Sequence, residues 1–115
     1  MNPAVGGAMV RAAALTPESI VESEERDMFF ELREYHTQPG QRARWVKYME
    51  EVIIPFQVSK GMVIAGSFIG REDEDTYMWT RRFESEGERD SLYKAVYESD
   101  TWKNEIEPPI GDMLD

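Results

Sequence analysis

The run from Met28 to His36, Met-Phe-Phe-Glu-Leu-Arg-Glu-Tyr-His, constrains this chain more than any other feature. It is dense in aromatic residues and ends at Thr37-Gln38-Pro39-Gly40, the punctuation expected after a strand. Alternation places Phe30, Leu32 and Glu34 on one face and Phe29, Glu31, Arg33 and Tyr35 on the other. Neither face is cleanly apolar. A fold that uses this strand must cover rings on both sides and find partners for charges set among them.

The following segments read in turn. Trp45, Tyr48, Met49, Val52, Ile53 and Phe56 recur at spacings of three and four, which predicts a helix from Pro39 or Gly40 to Ser59. Pro55 should kink its last turns, and Gly61 should close it after Lys60. Met62 to Ile69 reads as a second strand, with Gly66 marking a bulge or a close backbone approach. The acidic turn Gly70 to Asp75 joins it to a third strand, Thr76 to Phe83, as a hairpin. That turn lacks the central glycine and distal glutamate of a calcium loop. Ser85-Glu86-Gly87-Glu88 has the capping-box spacing, and Leu92, Tyr93, Val96 and Tyr97 supply a second helical stripe. Ser99 to Trp102 caps a further short helix that Pro108-Pro109 should end.

Strand, helix, strand, strand, helix, helical tail is the order of an α+β, ferredoxin-like split βαβ fold. Helices cover one face of such a sheet. Phe29, Tyr35, Tyr77 and Trp79 are too apolar to leave on the other in water, and a second copy of the chain is the economical cover. A homodimer is therefore expected.

Composition removes several function classes. The 115 residues hold 23 acids against 13 Lys+Arg, a net charge of −10, which argues against nucleic acid and against anionic lipid. There is no cysteine, so disulfides, thiolate metal sites and a cysteine nucleophile are excluded. One histidine, His36, excludes a multi-histidine metal cluster within a subunit, and no metal ion or cofactor is expected. No apolar run approaches the roughly 18 residues of a membrane span, and the opening residues lack the order of a secretory signal, so the expected location is cytoplasmic. The acidity sits at the ends. Residues 1–27 carry −3 and residues 98–115 carry −5, leaving −2 for the segment between. An anionic small ligand is thus allowed.

Residues 1–27 read as an N-terminal arm and residues 28–115 as the domain. In the arm, Thr16-Pro17-Glu18 has the form of a helix start, and the stretch near Ala8 to Leu15 that of a short strand.

Phe30-Glu31-Leu32-Arg33-Glu34-Tyr35 followed by Pro39-Gly40 resembles the opening of NIPSNAP-family domains. Pro55, Gly66, Arg82-Phe83-Glu84-Ser85, Asp100 and Trp102 extend the resemblance over residues 28–115. It implies a dimeric α+β barrel, the fold shared with small antibiotic-biosynthesis-type monooxygenases, and no single function. Two departures stand out. Trp79 and Arg81 occupy the third strand where relatives often carry a histidine and a tryptophan, and no fourth strand follows the helical tail. Residues 8–15 are the candidate for that strand, in their own subunit or a partner's.

Chemistry concentrates on the Phe29 face. Glu31 and Arg33 are spaced to pair, Arg81 offers a clamp for an anion or enolate, and Tyr35 offers a hydroxyl for proton donation. His36 at the strand end has the side chain suited to acid–base work near neutrality. The candidate catalytic residues are His36, Tyr35 and Arg81, and the candidate substrate-binding residues are Phe29, Glu31, Arg33, Tyr77 and Trp79. Two functions fit these residues. One is a cofactor-independent enzyme, of oxygenase or isomerase/cyclase type, or a binder, acting on a small aromatic or polyketide-like molecule. The other is a non-catalytic dimeric interaction module in which Glu31–Arg33 is a structural ion pair.

Overall fold

The computed structural model describes residues 27–115 and, as backbone, residues 7–11. Four strands form one antiparallel sheet: β1 (Gly7–Arg11), β2 (Phe29–His36), β3 (Val63–Ile69) and β4 (Thr76–Phe83), in the order β1-β2-β4-β3. β2 and β4 are central and run in full register, with Phe29 opposite Phe83, Glu31 opposite Arg81, Arg33 opposite Trp79 and Tyr35 opposite Tyr77. β1 lies along the outer edge of β2, from Gly7 opposite Arg33 to Arg11 opposite Phe29. Residues 12–15, and the helix start at Thr16-Pro17-Glu18, lie outside the described residues.

The first helical segment spans residues 42–59 in three continuous pieces: α1 (Arg42–Tyr48), one wider π-type turn (Met49–Ile53) and α2 (Ile54–Ser59). The expected disturbance at Pro55 is present, but upstream of it. Proline has no N–H and its ring crowds the carbonyl four residues back, so the winding loosens before it, and Ile54 N–H bonds Met49 O. The wider turn also helps to hold residues four apart on one face. Trp45, Met49, Ile53 and Gln57 are all buried. The helix ends in a Schellman motif: Gly61 N–H bonds Val58 O at 3.0 Å and Met62 N–H bonds Gln57 O at 3.0 Å. Gly61 supplies the left-handed φ of +108° that this ending requires.

Ser85 caps α3 (Glu86–Tyr97) by accepting from Glu88 N–H at 3.1 Å. The Glu88 carboxylate reaches back to Glu84 N–H at 2.9 Å, closing the box one residue earlier than its usual form. Beyond α3 the chain winds through a π-type turn (Trp102–Ile106) and a 3₁₀ turn (Pro108–Asp112). The short helix ends at Ile106, before Pro108-Pro109 as expected, and the prolines open the separate 3₁₀ turn, where the missing N–H costs no internal bond. The last residues strap back onto the end of β2. Gln38 N–H bonds Met113 O and Asp115 N–H bonds His36 O, both at 2.8 Å.

One expectation is reversed. Phe29, Tyr35, Tyr77 and Trp79 do not await a second copy: they are buried beneath the chain's own helices, against Trp45, Met49, Ile53, Val96, Tyr97 and Trp102. The open face carries Phe30, Leu32, Thr80 and Met78, all partly buried, with Val63 and Phe68 exposed. β3 breaks register between Ile64 and Gly66, and Phe68 lies over Gly66, where a Cβ would come within 2.5 Å of its ring. Strand alternation assigns residues to faces. It does not say which face the βαβ crossover will roof, and here the helices bring the phenols and amide that meet Glu31, Arg33 and the two terminal nitrogens of Arg81, whose Nε finds no acceptor among the described residues. Among the described residues, no helix is long and apolar enough to cross a membrane.

Candidate functional site

Arg81 projects from the middle of β4 into the sheet–helix layer and is fully buried. Its guanidinium stacks 4.6 Å from the Trp79 ring centre and 5.1 Å from that of Tyr93. Nη1 donates to Gln57 Oε1 and to the Tyr97 hydroxyl, both at 2.8 Å. Nη2 donates to Glu31 Oε1 and, at 2.7 Å, to the Tyr93 hydroxyl. Burial works against this cation, yet Tyr97, Tyr93 and Glu31 together raise its pKa further, so it stays charged.

Glu31 is the hub on β2. Arg33 Nε and Nη2 each reach it at 3.2 Å, Arg89 Nε at 2.9 Å, and the Tyr93 hydroxyl donates to both of its oxygens at 2.7–2.8 Å. Burial alone would push its carboxyl up. Arg81, the Tyr93 hydroxyl and Arg33 outweigh that and bring it down to about 2. Three guanidinium groups thus surround one carboxylate, and the cluster carries excess positive charge. The Tyr93 hydroxyl is fully used: it accepts from Arg33 and Arg81 and gives its proton to Glu31. Glu31 is locked in ion pairs and is no general base.

A small aromatic cavity lies beside this cluster. Its volume is about 10 Å³, close to what one water needs. Tyr35, Trp45, Trp79, Tyr97 and Trp102 form its walls, Gln57 adds an amide, and Met49, Ile53, Ile110 and Leu114 close it. Tyr35 and Tyr77 stack with their planes 1° apart, and Trp45 meets both edge-on. Trp79 Nε1 donates to the Tyr35 hydroxyl at 3.3 Å. Burial, and Tyr97 close by, raise the Tyr35 pKa, so its phenol stays neutral. The indole N–H groups of Trp45 and Trp102 are buried and find no acceptor among the described residues. An open groove of about 680 Å³ lies outside, between the helix start and the β3–β4 hairpin, bounded by Pro39, Arg42, Val46, Ile69 and Asp75. The Arg42 side chain there is already used by the carbonyls of Gly70 and Asp73.

Of the residues singled out from sequence, Phe29, Glu31, Arg33, Tyr35, Tyr77, Trp79 and Arg81 all share this one buried layer. His36 does not join them. Its side chain is 53 % exposed, on the open face, and its Nε2 lies 3.1 Å from Glu34 Oε2. Gln57, Arg89, Tyr93, Tyr97, Trp45 and Trp102 complete the site; the sequence pattern marks Trp45, Tyr93 and Tyr97 as helix stripe and Trp102 as part of a cap, and passes over Gln57 and Arg89. The four-residue spacing of Trp45, Met49, Ile53 and Gln57 along the helix is the signal that could have singled out Gln57. Among the described residues, no three His, Asp or Glu side chains converge as a metal site would require.

No protein-family model and no characterised protein sequence matches this chain. Solved structures do. The chain is similar to an uncharacterized NIPSNAP-like domain protein from Burkholderia xenovorans, with a TM-score of 0.70 over 77% of this chain and 78% of that one, at 17% identity. It is similar to a NIPSNAP family protein with unknown function from Agrobacterium tumefaciens, with a TM-score of 0.69 over 76% and 79% of the two chains, at 22% identity. A further NIPSNAP family protein from Agrobacterium tumefaciens gives 0.68 over 76% and 77%, at 19% identity. At these identities the likeness is one of fold. The α+β architecture of this chain is that of the NIPSNAP-like proteins, the fold that its β2 and helix-start residues implied.

Proposed function

We propose that this chain is a NIPSNAP-family protein, acting as a cytoplasmic homodimer, that binds a small aromatic or polyketide-like molecule between its sheet and its helices without a cofactor. The observation that carries the reading is the pair of buried indole donors, Trp45 and Trp102, left without acceptors in the wall of an otherwise aromatic cavity. Unpartnered buried donors cost about 1–3 kcal/mol each, and an acceptor-bearing ligand relieves that cost. Catalysis of an oxygenase or isomerase/cyclase type would also need a base, and among the described residues no carboxylate or imidazole lines the cavity. Binding is therefore the better-supported activity. Tyr35 and Arg81 act as fixed electrostatic groups, and Trp79 as a wall.

The dimer reading moves to the other face. Phe30, Leu32, Met78, Val63 and Phe68, set among Glu34, Thr80 and Arg82, leave a partly apolar sheet surface that a second copy, laid sheet to sheet, would cover. Residues 28–115 form the module in this reading. In the same reading the arm of residues 1–27 supplies β1 at the outer edge of β2.

The second reading, a non-catalytic interaction module, draws on the saturation of the Arg81–Glu31 cluster and the small size of the cavity. A panel of one- and two-ring aromatic compounds, followed by tryptophan emission and by melting temperature, separates the two. Saturable changes that weaken in Trp102→Phe support binding. A panel that moves neither signal leaves the interaction module.

A further inference from the structure

Resting on that reading, we infer that the cavity selects a ring bearing an anionic, acceptor-only group, an aromatic carboxylate. Arg81 has donors only, so Gln57 must turn Oε1 toward its Nη1, 2.8 Å away. That fixes Gln57 Nε2 on the Tyr97 hydroxyl at 3.0 Å. Arg81 Nη1 also donates to the same oxygen at 2.8 Å. Both acceptor positions of Tyr97 are filled, so its own proton must be given elsewhere, and among the described residues it meets no acceptor. Tyr35 is in a similar state: it accepts from Trp79 and donates to nothing described. With the Trp45 and Trp102 N–H groups, four donors without acceptors belong to buried side chains that line one cavity, Trp45 2% and Trp102 1% exposed, and Arg81 Nε is a fifth unpartnered donor in the adjoining cluster.

One water supplies two acceptor positions and brings two more protons to place. An ionised carboxylate brings about four acceptor positions and no proton. The excess positive charge of the neighbouring arginine cluster favours the same choice over a neutral carbonyl. The cavity has room for about one water, so a ring would have to displace lining side chains, and Ile110 and Leu114 are the two on the terminal strap. Ile110 is the side chain whose removal makes room.

The test uses the intact protein and matched ring compounds at constant ionic strength: benzoate, benzamide and benzylammonium. Binding is followed by tryptophan emission and by the shift in melting temperature. The inference expects benzoate to bind at least about tenfold more tightly than benzamide, which brings N–H donors, and benzylammonium not to bind. Tyr97→Phe and Trp102→Phe should each weaken benzoate about tenfold, with circular dichroism unchanged, while Ile110→Ala should strengthen it. Equal binding of benzoate and benzamide by the wild type overturns the carboxylate assignment and leaves the cavity as a general aromatic site. If no ring compound binds, including to Ile110→Ala, the binding reading falls together with this one. The wild-type comparison decides the matter even where a variant does not fold.

Discussion

Glu31 and Arg81 stand directly opposite each other across the β2–β4 ladder, fifty residues apart in sequence, and their side chains pair beneath the helices. Everything else in the buried polar layer is arranged around that pair. Arg33 and Arg89 approach from the Glu31 side, Gln57 and Tyr97 from the Arg81 side, and Tyr93 bridges the two.

Removing either partner should destabilise the fold, and unequally. Glu31→Gln leaves three guanidinium groups crowded without an anion, and is expected to cost about 3–5 kcal/mol. Arg81→Met should cost less, because Glu31 keeps Arg33, Arg89 and Tyr93. Urea unfolding of the two variants and of the double variant measures the difference and the coupling. A Glu31→Gln change without effect on the midpoint would contradict the hub role.

Acid should find the same residue. The Glu31 carboxyl is held at about 2, below its ordinary 4.5. Its contribution is therefore fully present above pH 4.5 and is lost as pH falls from there through 2. Wild-type stability should decline over that window, and Glu31→Gln should flatten the decline. Matching pH profiles for the two proteins would show that other carboxyls govern acid unfolding.

Gly61 tests the link between a helix ending and the site. At φ +108° a side chain is strained, and a Cβ would lie 3.1 Å from Leu92 Cδ2. Gly61→Ala should cost about 1–2 kcal/mol. Because the Schellman bond from Met62 N–H ends on the Gln57 carbonyl, it should also loosen the amide that Arg81 and Tyr97 share. Chemical unfolding measures the first effect, and the tryptophan emission maximum reports the second.

Phe68 tests the dimer. It is 55% exposed in the single chain, so Phe68→Asp should change little in a monomer. On a sheet-to-sheet interface it would bury a charge and split the dimer. Light scattering on a sizing column should give a dimer for the wild type and a monomer for the variant, with similar circular dichroism. A wild-type protein that is monomeric at high concentration would remove the proposal.

The sequence by itself determined the local structure. Alternation in Phe29–His36 put Glu31, Arg33 and Tyr35 on one face, turn residues placed β4 at Thr76–Phe83, and Gly61 and Ser85 marked the helix ends, all as observed. These signals are local, because propensity, capping and turn geometry act within a few residues. Only the tertiary structure decided which face turned inward, and so which residues share the site. The helices that roof Glu31 bring Tyr93 from 62 residues away, and Arg81 meets Gln57 from 24 residues away. His36, one residue beyond Tyr35, falls on the opposite face and is lost to the site. Pairing over such distances depends on where the crossover lays its helix, and two partly apolar faces leave that choice to the packing and polar satisfaction of the whole chain.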